Sequence, residues 1–346
     1  MFREDNVKDC NYMKSKKIKK IFIGFCIFFV SNCIIGVIYS MPMVYYGPFN
    51  NIKEMVVTSA MRTLRHQYLA TWFLSKDEIN RIMSKSQIDN TEKSEIKDIA
   101  IAVSTQTDSA VKTDETKERT DGVEVININE SRYKGYLLIV KDPNRVELGV
   151  TSNLNKFGIK LDDMAKENGA IGGINAGGFE DTDGQGNGGT PTSIVVKDGN
   201  VLFKTQNDSY SIVGFNNQGV LVIGNYSLSE ISKLNLKGAV SFEPFLIVNG
   251  KPTIKSGNGG WGMSPRTAIG QRKDGTVLML VTEGRKITMP GATLKDVQDI
   301  MIKYEAYNAA NLDGGSSSTI YWNGKILNEP SSSDGVRFIP TAFLIK

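Results

Sequence analysis

Residues 21–39, IFIGFCIFFVSNCIIGVIY, run for 19 positions without a charged side chain, and this settles the N-terminus before anything else. A segment so long and apolar matches the hydrocarbon thickness of a bilayer, which takes about 20 helical residues to cross. "KSKKIKK" stands just ahead of it. Residues 1–20 hold seven Lys/Arg against three Asp/Glu, which already equals the net charge of the whole chain, +4. Lysines before the span hold the tail in the cytoplasm and send the remainder outward. A cleaved signal peptide is the competing reading. Its apolar core is usually shorter, and no small-x-small site is evident near "GVIYSMP". The expectation is a basic cytoplasmic tail over 1–20 and an uncleaved signal-anchor over 21–46. That makes a single-pass plasma-membrane protein with its main domain extracellular.

Beyond the span, Met55, Leu64, Tyr68, Leu69, Trp72 and Phe73 recur at three- and four-residue steps, predicting an amphipathic juxtamembrane helix over 50–82. His66, the chain's single histidine, sits there and reads as a half-buried polar residue. Residues 83–120 are rich in Ser, Thr, Asp, Glu and Lys and lack aromatics, the composition of a solvated linker. The domain proper occupies 121–346, ample for a core without disulfides. None is available there, because Cys10 lies in the tail and Cys26 and Cys33 in the span. This domain carries 23 charges of each sign, so its balance gives no argument for a nucleic-acid partner.

Short β-branched or alternating runs fill the domain: VEVININ, GYLLIV, VELGV, YSIVGFNNQGVLVIG and TAIGQRKDGTVLMLVTEG among them. Turns such as KDGN, NNQG, VNGK and KDGT supply the positive φ of tight hairpins. Helices are predicted at 161–167, 228–234 and 294–309, the last opening on a capping-box-like "TLKD". The fold class is α+β: a mixed, largely antiparallel sheet with a few helices, preceded by a transmembrane and a juxtamembrane helix.

The domain's chemistry is bounded by two absences. After residue 120 there is neither His nor Cys. A Ser-His-Asp triad, a Cys nucleophile and a His-ligated zinc are thereby excluded within it. Proton transfer and nucleophilic work fall to Asp, Glu, Lys, Tyr or water, and charge stabilisation to Arg, Lys, Asn or backbone N–H groups. Four stretches are candidates. In IGGINAGGFEDTDGQGNGG, an apolar strand leads into Asn175, and Gly177 and Gly178 would let a ligand approach the main chain. Asp181 and Asp183 in the same stretch are either calcium ligands or part of a plain surface loop. In WGMSPRTAIG, Arg266 is either a bidentate ligand for phosphate or carboxylate, or a surface charge. In SFEPFLIVNG, Glu243 is either paired in a core or turned into a cleft. In NLDGGSSSTIYW, Asp313 precedes two glycines and three serines, as a site or as an ordinary helix stop.

INAGGF, SPRTAIG, TEGR, NLDGGSSST and GVRFIPTAF occur in that order, and the set resembles the phosphodiester glycosidase family over roughly residues 130–346. Its animal member removes N-acetylglucosamine from a sugar phosphodiester, and bacterial relatives are often labelled exopolysaccharide biosynthesis proteins. The resemblance implies a hydrolase acting on a GlcNAc-1-phosphate type diester. It implies Asp313 as nucleophile or base, with Glu243 or Glu283 as partner carboxylate. Arg266 and Arg337 would meet the phosphate. The N–H groups of Gly314 and Gly315, with Ser316, would hold an oxyanion, and Asn175 would bind a sugar hydroxyl or acetamido group. No cofactor is demanded beyond a possible divalent cation such as calcium. A non-catalytic surface glycan-binding module and a wall-assembly scaffold are the alternatives.

Overall fold

A computed structural model describes residues 2–62, 66–86, 88–101, 118–120, 122–182 and 186–346, with 2–17 and 118–120 described by their backbone alone. The chain divides into two units, Met1–Val56 and Val57–Lys346. The first is built on α1 (Phe2–Tyr46), within which Ile18–Tyr46 is long and apolar enough to cross a membrane. Where a single juxtamembrane helix was expected, there are three: α2 (Asn50–Met61), α3 (Tyr68–Thr71) and α4 (Lys76–Ser84). Ser75 caps α4 by accepting from the Glu78 N–H at 3.3 Å.

The second unit is a set of antiparallel strands. In chain order they are β1 (Glu118–Thr120), β2 (Val123–Asn129), β3 (Lys134–Val140), β4 (Val146–Val150), β5 (Gly172–Asn175), β6 (Val195–Lys197), β7 (Asn200–Phe203), β8 (Tyr210–Asn216) and β9 (Leu221–Tyr226). They continue with β10 (Leu236–Ser241), β11 (Phe245–Val248), β12 (Lys251–Pro252), β13 (Arg266–Gln271), β14 (Val277–Thr282), β15 (Asn308–Leu312), β16 (Ile320–Trp322), β17 (Lys325–Ile326) and β18 (Thr341–Ile345). Among the described residues they form three sheets. The large one runs β1-β2-β3-β14-β13-β15-β11-β12, a second runs β7-β6-β10-β8-β9, and a third runs β17-β16-β5-β18-β4.

Strand periodicity explains the layering. On β14, Val277, Met279 and Val281 enter one core, while Leu278 and Leu280 enter another on the opposite face. Alternate side chains of a strand point to opposite faces, so an unbroken apolar run such as VLMLV marks a strand covered on both sides. The first core is shared by all three sheets, through residues such as Met279, Val213 and Ile174. Outside it, α7 (Leu294–Lys303) covers the large sheet with Leu294, Val297 and Met301. The helix α5 (Leu161–Glu167) covers the third sheet with Leu161, Met164 and Ala165. Ile231 of α6 (Leu228–Ile231) packs against the second.

Two expectations on elements change. The helix predicted over 294–309 ends at Lys303, although its capping box, Thr293 with Asp296, is present. Glu305 takes φ +62°, and the N–H of Ala306 reaches back to the Met301 carbonyl at 2.9 Å, a Schellman-type stop. The chain then re-enters the sheet as β15, so Asp313 follows a strand and the helix-stop reading does not apply. Residues 88–101, expected as solvated linker, lie against two sheets. Ile88 bridges Ile254, Ser94 exchanges hydrogen bonds with Ile223, and Ala100 N–H donates to the Lys273 carbonyl. Lys93 covers the Tyr226 ring at 4.5 Å and pairs with Glu230.

This strap occupies the free edges of β9 and β12, so a chain starting at 121 leaves both unpaired. Such a truncation should melt at least about 5 °C below one starting at 57, or aggregate; scanning calorimetry of the two checks this.

Candidate active site

The large sheet ends β14 and β15 on the edge where β13 begins, and the third sheet brings the end of β5 to the same place. Asn175, at the end of β5, ties these ends together. Its Nδ2 donates to the Asp313 carbonyl at 2.6 Å, and its Oδ1 accepts from the Thr267 hydroxyl at 2.8 Å and the Thr319 N–H at 3.0 Å. The Asp313 N–H in turn donates to the Ala176 carbonyl at 3.0 Å. Both backbone groups of Asp313 are therefore held by neighbouring residues of one strand end. Gly315 then turns the chain at φ +63°, and its N–H donates to the Pro265 carbonyl at 2.8 Å.

The half-buried carboxyl of Asp313 makes no ion pair among the described residues. Its pKa is raised to about 6, first by desolvation and also by the negative charge of Asp181. Hydrogen bonds from Ser317 and the Gly314 N–H, and the positive charge of Arg337, act in the opposite direction. Two guanidinium groups stand by this turn. Arg337 donates to the Ser316 hydroxyl at 3.2 Å, pairs with Asp181 at 2.7 Å, and lies 5.4 Å from the centre of the Phe179 ring. Arg285 lies over Gly315: a Cβ at position 315 would come within 2.8 Å of Nη2 of Arg285. Arg285 as a whole is exposed, but desolvation where its guanidinium crosses Gly315 lowers its pKa, and the Asp313 charge offsets part of that. The Arg285 backbone sits at φ +60°, a left-handed conformation that costs a non-glycine residue roughly 1–2 kcal/mol. Its N–H donates to the Pro290 carbonyl at 3.0 Å.

The predicted site residues separate into two groups. Asp313, Gly314, Gly315, Ser316, Arg337 and Asp181 come together. Arg266 lies beside the turn but is 4% exposed and directed elsewhere. Its guanidinium donates to the carbonyls of Ala292, Trp261 and Gly262, and its pKa is drawn down to about 9 by burial and then by Arg285. It supports the loop carrying Trp261, and this arrangement departs from the phosphate contact expected of it. Asn175, expected to meet sugar, is 1% exposed and engaged as described above. Gly315 gives its N–H to Pro265, so it is not free to hold an oxyanion. Gly177 and Gly178 accommodate Val240 and Phe242, against which a Cβ would come within 3.1 and 3.0 Å, so close packing explains them without a ligand.

The two other acids are engaged elsewhere. Glu243 is exposed and accepts from the Ser211 hydroxyl. Glu283 accepts from the Glu329 N–H at 2.9 Å and lies 3.6 Å from Lys286. The acid whose charge reaches Asp313 is Asp181. Asp181 also departs from the calcium-loop expectation, since Oδ1 takes both Arg337 and the Gly186 N–H. Asp183 lies outside the described residues, among which no group of three His, Cys, Asp or Glu gathers. Arg285 was missed by sequence reasoning. The signal was its place in TEGR, directly after Gly284 and three residues past the end of β14.

A family profile described as phosphodiester glycosidase matches residues 168–346. An uncharacterized SPbeta prophage-derived protein of Bacillus subtilis, YomE, is 30% identical over 184 residues, covering 50% of this chain and 27% of that protein. The N-acetylglucosamine-1-phosphodiester alpha-N-acetylglucosaminidase of Bos taurus is 35% identical over 69 residues, 20% of this chain and 13% of the enzyme. The matches thus span well under two thirds of either relative. The catalytic domain of the zebrafish enzyme of that name, auto-inhibited by its pro-peptide, has the same fold. Its TM-score is 0.55 at 21% identity, over 73% of this chain and 87% of that one.

Asn175→Ala leaves a carbonyl, a hydroxyl and an N–H without their partner, and should cost about 3 kcal/mol or more in denaturant unfolding. Asp313→Asn should act in the opposite sense. The folded pKa is raised above the unfolded value of 3.8, so the carboxyl favours folding at low pH and loses that contribution as pH rises through about 6. The Asn variant should be the more stable at pH 7, and the two should converge below pH about 4.

Proposed function

Since the chain belongs to the phosphodiester glycosidase family, we propose that it is a hydrolase of a sugar-1-phosphodiester of the N-acetylglucosamine-1-phosphate type. On this reading α1 anchors it in the plasma membrane with the basic tail inside, and Val57–Lys346 works outside the cell in surface polysaccharide metabolism. One observation carries the chemical part: Asp313, unpaired and with its pKa raised to about 6, shares its turn with the guanidinium groups of Arg285 and Arg337.

The reaction breaks the C1–O bond of the sugar. Water supplies the new hydroxyl, and the phosphate leaves as a monoester. Phosphate is a good leaving group, so the site's work is to neutralise its charge and support an oxocarbenium-like sugar. Arg285 and Arg337 take the phosphate, with the Ser316 hydroxyl between them. Asp313 is ionised at neutral pH and attacks C1 or takes the proton of the attacking water. Asn175 and Arg266 act as positioning residues, one on the Asp313 backbone and the other on the loop that begins β13.

The test is sugar release from GlcNAc-1-phospho-methyl ester by the full chain in non-ionic detergent. Asp313→Asn and Arg285→Ala should each lower kcat about a hundredfold or more, since one charge-stabilising donor is worth about 2.7–4 kcal/mol. Glu243→Gln should change it less than about threefold. The rate should fall as pH drops through about 6, where Asp313 takes up its proton. Undiminished turnover by Asp313→Asn would falsify the assignment. Binding of the ester without any release of sugar would point to a glycan-binding module.

A further inference from the structure

Arg285 opens a small hairpin, RKITMPG, that stands beside the Asp313 turn. Lys286 and Met289 exchange backbone hydrogen bonds at 3.1 and 3.0 Å, and Arg285 N–H closes the base on Pro290. The Gly291 N–H donates to the Arg132 carbonyl at 3.0 Å. Lys286 is pinned from the side, 2.6 Å from Glu329 and 3.6 Å from Glu283. A hairpin secured at so many points presents its tip in a fixed place. That tip is Ile287, with a relative exposure of 105%. Among the described residues no packing contact covers it, and two residues of chain put its Cα at most about 7 Å from that of Arg285.

Arg337 shows the same association. It is followed directly by Phe338, which is 49% exposed, with Lys160 5.7 Å from its ring centre. Each of the two guanidinium groups assigned to the phosphate is therefore accompanied, within two residues, by a large exposed apolar side chain. Scattered apolar residues on a surface are ordinary. A pair attached to the two cations of one site is a different matter, because the cations commit a phosphate to the space they share.

We propose that this rim recognises an apolar alcohol esterified to the phosphate. The substrate is then a sugar-1-phosphate linked to an alkyl or isoprenoid-like chain, and not one linked to glycerol or a second sugar. The proposal rests on the phosphodiester reading above and narrows its substrate class. On this proposal the ester chain leaves the phosphate on the Ile287 side of Arg285. The sugar is directed the other way, to Asp313.

A series of GlcNAc-1-phosphate esters with methyl, propyl, pentyl and glyceryl groups tests it, using the full chain in detergent below the micellar range of the esters. Half-covered methylenes contribute about a twofold gain each, so kcat/KM should rise about sixteenfold from methyl to pentyl, mainly through KM. The glyceryl ester should resemble the methyl one. Ile287→Ser should cut the pentyl-to-methyl ratio at least about threefold, and Ile287→Leu should retain it. A flat series with every ester cleaved overturns this inference and leaves the hydrolase reading standing. No cleavage of any ester overturns both. A dimer in light scattering that Ile287→Ser converts to monomer would assign the tip to a second copy of the chain, and would also overturn it.

Discussion

The side-chain amide of Asn175 is the interaction on which the site depends. It is buried, and its two ends reach three elements: the turn after β15, the start of β13 and the residue leading into β16. Two of these belong to the large sheet and one to the third. A buried amide so used cannot be exchanged for an apolar residue without leaving several partners unsatisfied, which is why it acts as a joint and not as filler. The consequence is positional. Asp313 is held by its own backbone, so its carboxyl is left to be desolvated and influenced by charges at a distance.

What the amino-acid sequence disclosed follows the range of the interactions involved. Hairpins were legible because their turns are local. Asp198-Gly199 in KDGN and Asn249-Gly250 in VNGK both take positive φ, as residues of those types do readily. The capping box at Thr293 was legible for the same reason. The strand β15 was not, since its NAANL follows an amphipathic helix and nothing local distinguishes its continuation from its end. The strap at 88–101 was hidden because composition reports side chains, whereas this segment is held largely through its backbone and through Asn90, Ser94 and Asn249.

In the candidate site, Asp313 and Arg337 were singled out by residue type and motif, and the fold brings them to one turn. Arg266 was given a role it does not fill, because an arginine capped by three carbonyls looks the same in a sequence as one facing solvent. Arg285 was passed over because its position depends on its own left-handed backbone and on Gly315 in the turn after β15. The three acids show the same limit. Glu243 and Glu283 were equivalent on paper as partner carboxylates and Asp181 was read as a calcium ligand or loop residue, whereas their partners, Ser211, the Glu329 N–H and Arg337, separate all three.

The third sheet carries a temporal consequence. Its strand β4, near the start of the domain, pairs with β18 at the other end, Val146 opposite Ile345. β4 has no neighbour in its sheet until β18 has been made, β5 has only β16 before then, and the central core shared by all three sheets waits with them. Long-range antiparallel pairing of this kind is slow and cannot be completed piecemeal. A nascent chain of this design keeps its central core open until β18 emerges.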